Sequence, residues 1–69
     1  MEGTVKWFDD VKGFGFIEGD DGRDYFVHYS VLEREGERRR TLKEGDDVTF
    51  QPTTTPKGPA AINVRVLRP

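Results

Sequence analysis

Apolar and polar residues alternate in short runs along this chain. In DDVTFQP (46–52), Val48 and Phe50 fall on one side of an extended backbone, and Thr49 and Gln51 fall on the other. A period of two is the pattern of a β-strand with one buried face. No long segment carries the period of 3.6 that an amphipathic helix requires, so the pattern predicts an all-β protein.

Five such runs follow one another, separated by glycine, aspartate and proline. The predicted strands are GTVKWF (3–8), GFGFIEG (13–19), DYFVHY (24–29), DDVTFQP (46–52) and AAINVRVL (60–67). DDVKG and DDGR are predicted turns, and the Asp-Gly pair favours a hairpin. TTTPKGP (53–59) is predicted as a loop, SVLE as one helical turn capped by Ser30, and EREGERRRTLKEG as a long polar connection. About five short strands favour a closed or nearly closed barrel, because closure removes exposed edges.

The alternation also separates a predicted core from an outer face. The candidate core residues are Val5, Ile17, Val27, Val48, Phe50, Ile62, Val64 and Val66, with Val31, Leu32 and Leu42 closing the ends. If Ile17 and Val27 point inward, the outer face carries Phe14, Phe16, Asp24, Phe26 and His28. The opposite orientation would bury Asp24 without a partner, which costs several kcal/mol. We therefore expect the aromatic residues outside, with Gly15 as a gap through which a planar ligand approaches the backbone.

An exposed aromatic face with nearby cations is typical of proteins that bind single-stranded nucleic acid, where bases stack on the rings. The net charge of −2 argues mildly against binding that rests mainly on charge. A protein-interaction barrel that holds a peptide on the same face is the alternative, since aromatic grooves also bind proline-rich segments. Enzymatic activity is not expected, because no nucleophile, metal cluster or acid–base pair is visible.

Length and composition limit the remaining possibilities. A chain of 69 residues is expected to form one domain, residues 1–69. It has no cysteine and one histidine, so we expect neither disulfide, metal nor cofactor. No apolar run approaches the length of a membrane span, and the first residues lack a secretory pattern. The prediction is a cytoplasmic protein with no membrane partner and no small-molecule substrate.

The order of its motifs makes the chain similar to the bacterial cold-shock protein family. VKWF (5–8), KGFGFI (12–17) and YFVHY (25–29) carry the resemblance, and LKEGDDV (42–48) and KGPAAINV (57–64) extend it over essentially the whole chain. The resemblance implies a five-stranded antiparallel Greek-key barrel of the oligonucleotide-binding type. It also implies binding of single-stranded RNA and DNA with little sequence selectivity, and a role as an RNA chaperone or regulator of transcription or translation. We expect the protein to be a monomer.

The resemblance further implies a set of binding residues. Carried over by position, they are Lys6, Trp7, Lys12, Phe14, Phe16, Asp24, Phe26, His28, Tyr29 and Lys57. Simple alternation cannot place Lys6 and Trp7 on one face, so the family pattern suggests an irregularity in the first strand.

Several positions depart from the family pattern. Asp9 stands where the family usually has asparagine, which replaces a donor to bases with a negative charge, and it is kept as a candidate binding residue. Tyr25 replaces a valine that points inward, so its ring either overfills the barrel or sends its hydroxyl to the rim, and Tyr29 replaces a frequent phenylalanine.

The long connection departs most. It lacks the family's aromatic residue and carries Arg38, Arg39 and Arg40 instead. Two interpretations stay open: these arginines are solvated and paired with nearby glutamates, or they contact phosphates and bases of the ligand.

Overall fold

The protein folds into five β-strands. The structure is a computed structural model and describes residues 1–29 and 42–67. The strands are β1 (Glu2–Asp9), β2 (Phe14–Gly19), β3 (Asp24–His28), β4 (Asp47–Thr55) and β5 (Gly58–Val66). All five predicted strands are confirmed. The helical turn predicted at Ser30, and the polar connection as far as residue 41, lie outside the described residues.

The loop predicted at 53–59 is wrong. β4 continues through Thr55 and β5 begins at Gly58, so only Pro56 and Lys57 form the turn of a tight hairpin. Consecutive threonines are β-branched and favour extended backbone, although glycine and proline nearby suggest a loop. Gly58 adopts a φ of 122°, which allows the chain to reverse direction within so few residues.

The strands close into a barrel in the order β1-β2-β3-β5-β4. Four of the neighbouring pairs are antiparallel, but β3 and β5 run parallel and meet where Phe26 pairs with Ala60. The predicted five-stranded antiparallel barrel is confirmed, and the β3–β5 contact is its one parallel pairing. The reason is topological: strand direction cannot alternate all the way around a closed ring with an odd number of strands.

One hydrophobic core fills the barrel. Its buried members are Val5, Ile17, Tyr25, Val27, Leu42, Val48, Phe50, Ala61 and Val64, with Phe8 and Val66 packed against them. Within residues 1–29 and 42–67, no charged or polar residue is buried. The predicted core is thus confirmed for most of its members, while Val31 and Leu32 lie outside the described residues.

Ile62 is the exception in the predicted core. It is half-buried and lies outside the core cluster, and its neighbour Ala61 is buried in its place. The β4–β5 register shifts between Thr49 and Gln51, opposite Asn63, which adopts a φ of 53°. Because one extra residue in a strand reverses the direction of its side chains, Ala61 and Val64 both point inward.

Tyr25 occupies one end of the barrel without overfilling it. Its ring is buried and packs against Phe50, with ring centroids 5.1 Å apart. Its hydroxyl reaches the rim and donates a 2.6 Å hydrogen bond to Asp21 Oδ2. Of the two alternatives predicted for Tyr25, the structure therefore shows the one in which the hydroxyl reaches the rim.

The bond between Tyr25 and Asp21 changes the acidity of both groups. The hydrogen bond from the Tyr25 hydroxyl, reinforced by the Arg23 backbone N–H, lowers the pKa of Asp21 below its ordinary value of 3.8. The same bond raises the pKa of Tyr25 above its ordinary value of 10.0. The folded protein therefore favours a neutral tyrosine beside an ionised aspartate.

Candidate nucleic-acid interface

Four aromatic rings meet on the outer surface of β1, β2 and β3. Trp7 comes from β1, Phe14 and Phe16 from β2, and Phe26 from β3, and we call these four residues the aromatic cluster. The strand register places Trp7 opposite Phe16 and Phe16 opposite Phe26, so that one row of rings crosses three strands. Phe14 joins the same face because side chains two residues apart on a strand point the same way.

The rings of the aromatic cluster support one another. Centroid separations are 5.9 Å for Trp7–Phe14, 5.6 Å for Trp7–Phe16, 5.7 Å for Phe14–Phe26 and 5.8 Å for Phe16–Phe26. Tilted and edge-on contacts at such distances are the favoured arrangements of aromatic pairs. The contacts hold the rings in place while Trp7 stays 43% and Phe26 37% exposed. The face is therefore apolar, closely packed and open to solvent.

An irregularity in β1 brings Lys6 and Trp7 to this surface together. Val5 pairs with Ile17 and Trp7 pairs with Phe16, so the register shifts at Lys6. Val5 remains buried, while Lys6 and Trp7 are both exposed. The irregularity that the family resemblance suggested is confirmed.

Gly15 has a different role from the one that its position between two phenylalanines suggested. It is buried and pairs with Phe8 on β1. A Cβ atom here would contact the carbonyl oxygen of Trp7 and would lie 2.7 Å from the Phe8 Cα. Gly15 thus permits close packing of β2 on β1 from the inner side, and its interpretation as a gap for a ligand is wrong.

His28 and Tyr29 form a second ring pair at the end of β3. Their centroids are 4.6 Å apart with an interplanar angle of 32°, and His28 pairs across the sheet with Phe14 of the aromatic cluster. The Tyr29 N–H donates a 2.9 Å hydrogen bond to the Gly13 carbonyl. A Cβ on Gly13 would lie 2.6 Å from the Tyr29 ring, so the absence of a side chain at Gly13 leaves the space that this ring occupies. Gly13 also adopts a φ of 81°, which favours glycine. Sequence reasoning missed this role of Gly13.

Asp9 stabilises the turn that leads from β1 to β2. Its Oδ1 accepts hydrogen bonds from the backbone N–H groups of Val11 and Lys12, at 2.9 and 3.0 Å. Aspartate at the start of a turn commonly accepts such bonds, and this signal was available in the DDVKG motif. The carboxylate therefore supports the turn that carries Lys12, a role that its interpretation as a ligand contact overlooked.

The charged candidates that the structure describes lie in different elements of the fold. Lys6 forms an exposed ion pair with Asp24, with Nζ and Oδ2 3.3 Å apart. Lys12 is exposed on the β1–β2 turn. Lys57 lies in the turn of the β4–β5 hairpin, just before the strand whose Ala60 pairs with Phe26 of the aromatic cluster. Arg38, Arg39 and Arg40 lie outside the described residues.

Comparison with known proteins identifies the family. The model of the 'Cold-shock' DNA-binding domain matches residues 1–67. The chain therefore belongs to the cold-shock domain family, a nucleic-acid-binding and non-enzymatic family.

Individual relatives agree with this assignment. The chain is 52% identical over 62 residues to "Cold shock protein 1" of Lactiplantibacillus plantarum, covering 90% of this chain and 91% of that protein. It is 52% identical over 67 residues to "Cold shock-like protein" of Thermotoga maritima, covering 97% and 98%. For "Cold shock-like protein CspE" of Escherichia coli K12 the identity is 48% over 68 residues, covering 97% and 96%.

A solved structure shows the same fold. The chain superimposes on "drosophila Unr CSD456" with a TM-score of 0.69 at 24% sequence identity. The match covers 99% of this chain and 26% of that longer chain.

Within the described residues, no helix is long and apolar enough to span a membrane.

Proposed function

We propose that this protein binds single-stranded RNA and DNA with low sequence selectivity, by stacking bases on the aromatic cluster. The observation that carries the proposal is the set of four supported rings with two exposed members, built from three adjacent strands. Single-stranded bases expose their faces to such rings, whereas bases in a duplex are already stacked on one another. Any base has a face to stack, which accounts for the low selectivity.

Stacking is proposed as the main source of affinity. Each stacked base contributes roughly 1–3 kcal/mol, so a few rings suffice for useful binding. The net charge of −2 gives little general attraction for a polyanion. Family membership does not favour the alternative of a peptide ligand.

The proposed interface extends beyond the four rings. It comprises Lys6, Trp7, Lys12, Phe14, Phe16, Asp24, Phe26, His28, Tyr29 and Lys57. The rings hold bases, His28 and Tyr29 continue the stacking surface past the end of β3, and the lysines contact phosphates. In the cell we propose a monomer that acts in the cytoplasm as an RNA chaperone or as a regulator of transcription or translation.

A fluorescence titration tests this proposal. Trp7 is the only tryptophan and lies within the aromatic cluster, so its emission reports directly on the proposed site. Adding single-stranded oligothymidine should quench and shift this emission at saturation, and an oligouridine of equal length should do the same. A duplex of equal length is the control. An unchanged spectrum with both single strands, or tighter binding of the duplex, would contradict the proposal.

A further inference from the structure

We propose that Asp24 masks Lys6, so that a bound strand must exchange the Lys6–Asp24 ion pair for a contact between Lys6 and a phosphate. The inference rests on the proposed function and adds a determinant of salt dependence to it. Asp24 acts here through Lys6, as a residue that positions the lysine and withholds its charge.

The ion pair lies at the edge of the aromatic cluster. Lys6 Nζ is 3.3 Å from Asp24 Oδ2 and 3.4 Å from Oδ1, so the ammonium faces both carboxylate oxygens. Lys6 directly precedes Trp7 and Asp24 lies two residues before Phe26, which places the pair beside rings on both strands. Because Lys6 belongs to β1 and Asp24 to β3, the pair joins the two strands that flank β2.

This ion pair can open at little cost. The two side chains are 46% and 50% exposed. Exposed pairs contribute little to stability, because water screens the attraction and two side chains lose freedom in forming it. A phosphate offers the ammonium the same kind of charge-assisted hydrogen bond that the carboxylate offers. A nucleic-acid strand bound on the rings can therefore replace Asp24 as the partner of Lys6.

The freed carboxylate has consequences for the strand. The carboxylate is negatively charged, so it repels a phosphate. It accepts hydrogen bonds and cannot donate them, so it is compatible with the N–H groups on the edge of a base. With Lys6 turned to the backbone of the strand and Asp24 left beside the bases, the exchange favours one orientation of the strand over the rings.

The exchange also affects the salt dependence of binding. Salt weakens the contact between Lys6 and phosphate, but it weakens the competing ion pair as well. The two effects partly cancel in the parent protein. Without Asp24 the cancellation disappears, and the full counterion release of one phosphate contact should be measured.

The test is a double-mutant cycle read at several salt concentrations. The proteins are the parent, Asp24→Asn, Lys6→Gln and the double variant, each titrated with the same oligothymidine through Trp7 fluorescence. At low salt, Asp24→Asn should bind about two- to fivefold tighter, which is the range expected from an exposed ion pair. Its slope of log affinity against log salt should be steeper by up to about 0.7. Lys6→Gln should weaken binding less in the parent than in the Asp24→Asn background, and the double variant should lose the added slope.

Glu18→Gln is the matched control. Glu18 is exposed, pairs with Asp24 across the β2–β3 register, and carries the same charge without being the ion-pair partner of Lys6. It should produce only a small gain in affinity from reduced long-range repulsion, and that gain should not depend on Lys6. Thermal unfolding of every variant verifies that the fold is intact.

Three results would overturn the inference while leaving the proposed function intact. Equal effects of Asp24→Asn and Glu18→Gln would show that only overall charge matters. An effect of Asp24→Asn that persists without Lys6 would show that the ion pair is not involved, and weaker binding by Asp24→Asn would show that the carboxylate itself holds the ligand. If the parent protein does not bind oligothymidine at all, the proposed function fails and the masking role fails with it.

Discussion

At the scale of single residues, Asp9 shows how one side chain serves the fold and the ligand differently. Its Oδ1 accepts two backbone hydrogen bonds in the β1–β2 turn. Its negative charge would oppose a phosphate at the proposed contact of Lys12. Asp9→Asn keeps an oxygen acceptor and removes the charge. We expect tighter binding of oligothymidine by about two- to fivefold, as for one modest exposed charge interaction, with almost unchanged stability.

Asp9→Ala separates these two roles. It also removes the charge, but it leaves the two backbone N–H groups without their protein acceptor. Each such bond contributes about 0.5–1.5 kcal/mol, so the free energy of unfolding in urea should fall for alanine and not for asparagine. Equal stability losses in the two variants would mean that the carboxylate oxygen does not support the turn.

At the scale of structural elements, the bond between Tyr25 of β3 and Asp21 of the β2–β3 turn predicts a dependence of stability on pH at both extremes. The pKa of Asp21 is lowered, so its contribution is present above its ordinary pKa of 3.8 and is lost as pH falls through the lower value of the folded state. The pKa of Tyr25 is raised, so its contribution is present below its ordinary pKa of 10.0 and is lost as pH rises through the higher value of the folded state. Protonation of Asp21 weakens the hydrogen bond, and ionisation of Tyr25 removes its donor.

Tyr25→Phe is the natural control, since it keeps the ring against Phe50 and removes the hydroxyl. Urea unfolding at a series of pH values should show the parent and the variant differing most near neutrality and converging at both extremes. A constant difference across the whole range would exclude a bond that depends on the ionisation of Asp21 and Tyr25.

The elements also show what the sequence could predict. Alternation located all five strands, the outward phenylalanines and most of the core, because burial of one sheet face imposes a period of two. It failed where that period is interrupted. The extra residue at Asn63 places Ala61 in the core, where alternation had predicted Ile62. The irregularity at Lys6 was inferred only through the family resemblance.

Other features depend on contacts between distant residues. The packing role of Gly15 depends on how closely β1 approaches β2. The space that Gly13 leaves for the Tyr29 ring depends on a contact between the β1–β2 turn and the end of β3. Neither contact leaves a mark in the local pattern of apolar and polar residues. The parallel β3–β5 pair likewise appears only once the barrel is closed.

At the scale of the whole molecule, the balance of charge predicts a shallow salt dependence. The net charge is −2, so attraction over long distances contributes little. For single strands the slope of log affinity against log salt is about −0.7 for each phosphate neutralised, and we expect a slope equivalent to only a few contacts. Measurement of oligothymidine affinity between low and moderate salt gives this slope, and a steep slope would mean that charge outweighs stacking.

The same measurement distinguishes the two interpretations of the arginine-rich segment. Replacing Arg38, Arg39 and Arg40 together by glutamine removes charge but keeps length and polarity. If these residues contact phosphates, affinity should fall and the slope should become shallower, because fewer counterions are released. If they are only solvated, the slopes of the two proteins should be parallel, with a small loss of affinity from weaker long-range attraction.

The aromatic cluster is proposed to serve binding, whereas the inner rings serve stability. A paired measurement on Phe26→Ala and Phe50→Ala tests this division of roles. Phe26 is 37% exposed and Phe50 is 3% exposed. Phe26→Ala should lose roughly 1–3 kcal/mol of binding free energy for oligothymidine while its thermal stability changes little. Phe50→Ala should lose about 3–5 kcal/mol of stability, while its remaining folded molecules bind normally. A loss of stability in Phe26→Ala comparable to that in Phe50→Ala, with unchanged binding per folded molecule, would show that Phe26 serves the fold and not the ligand.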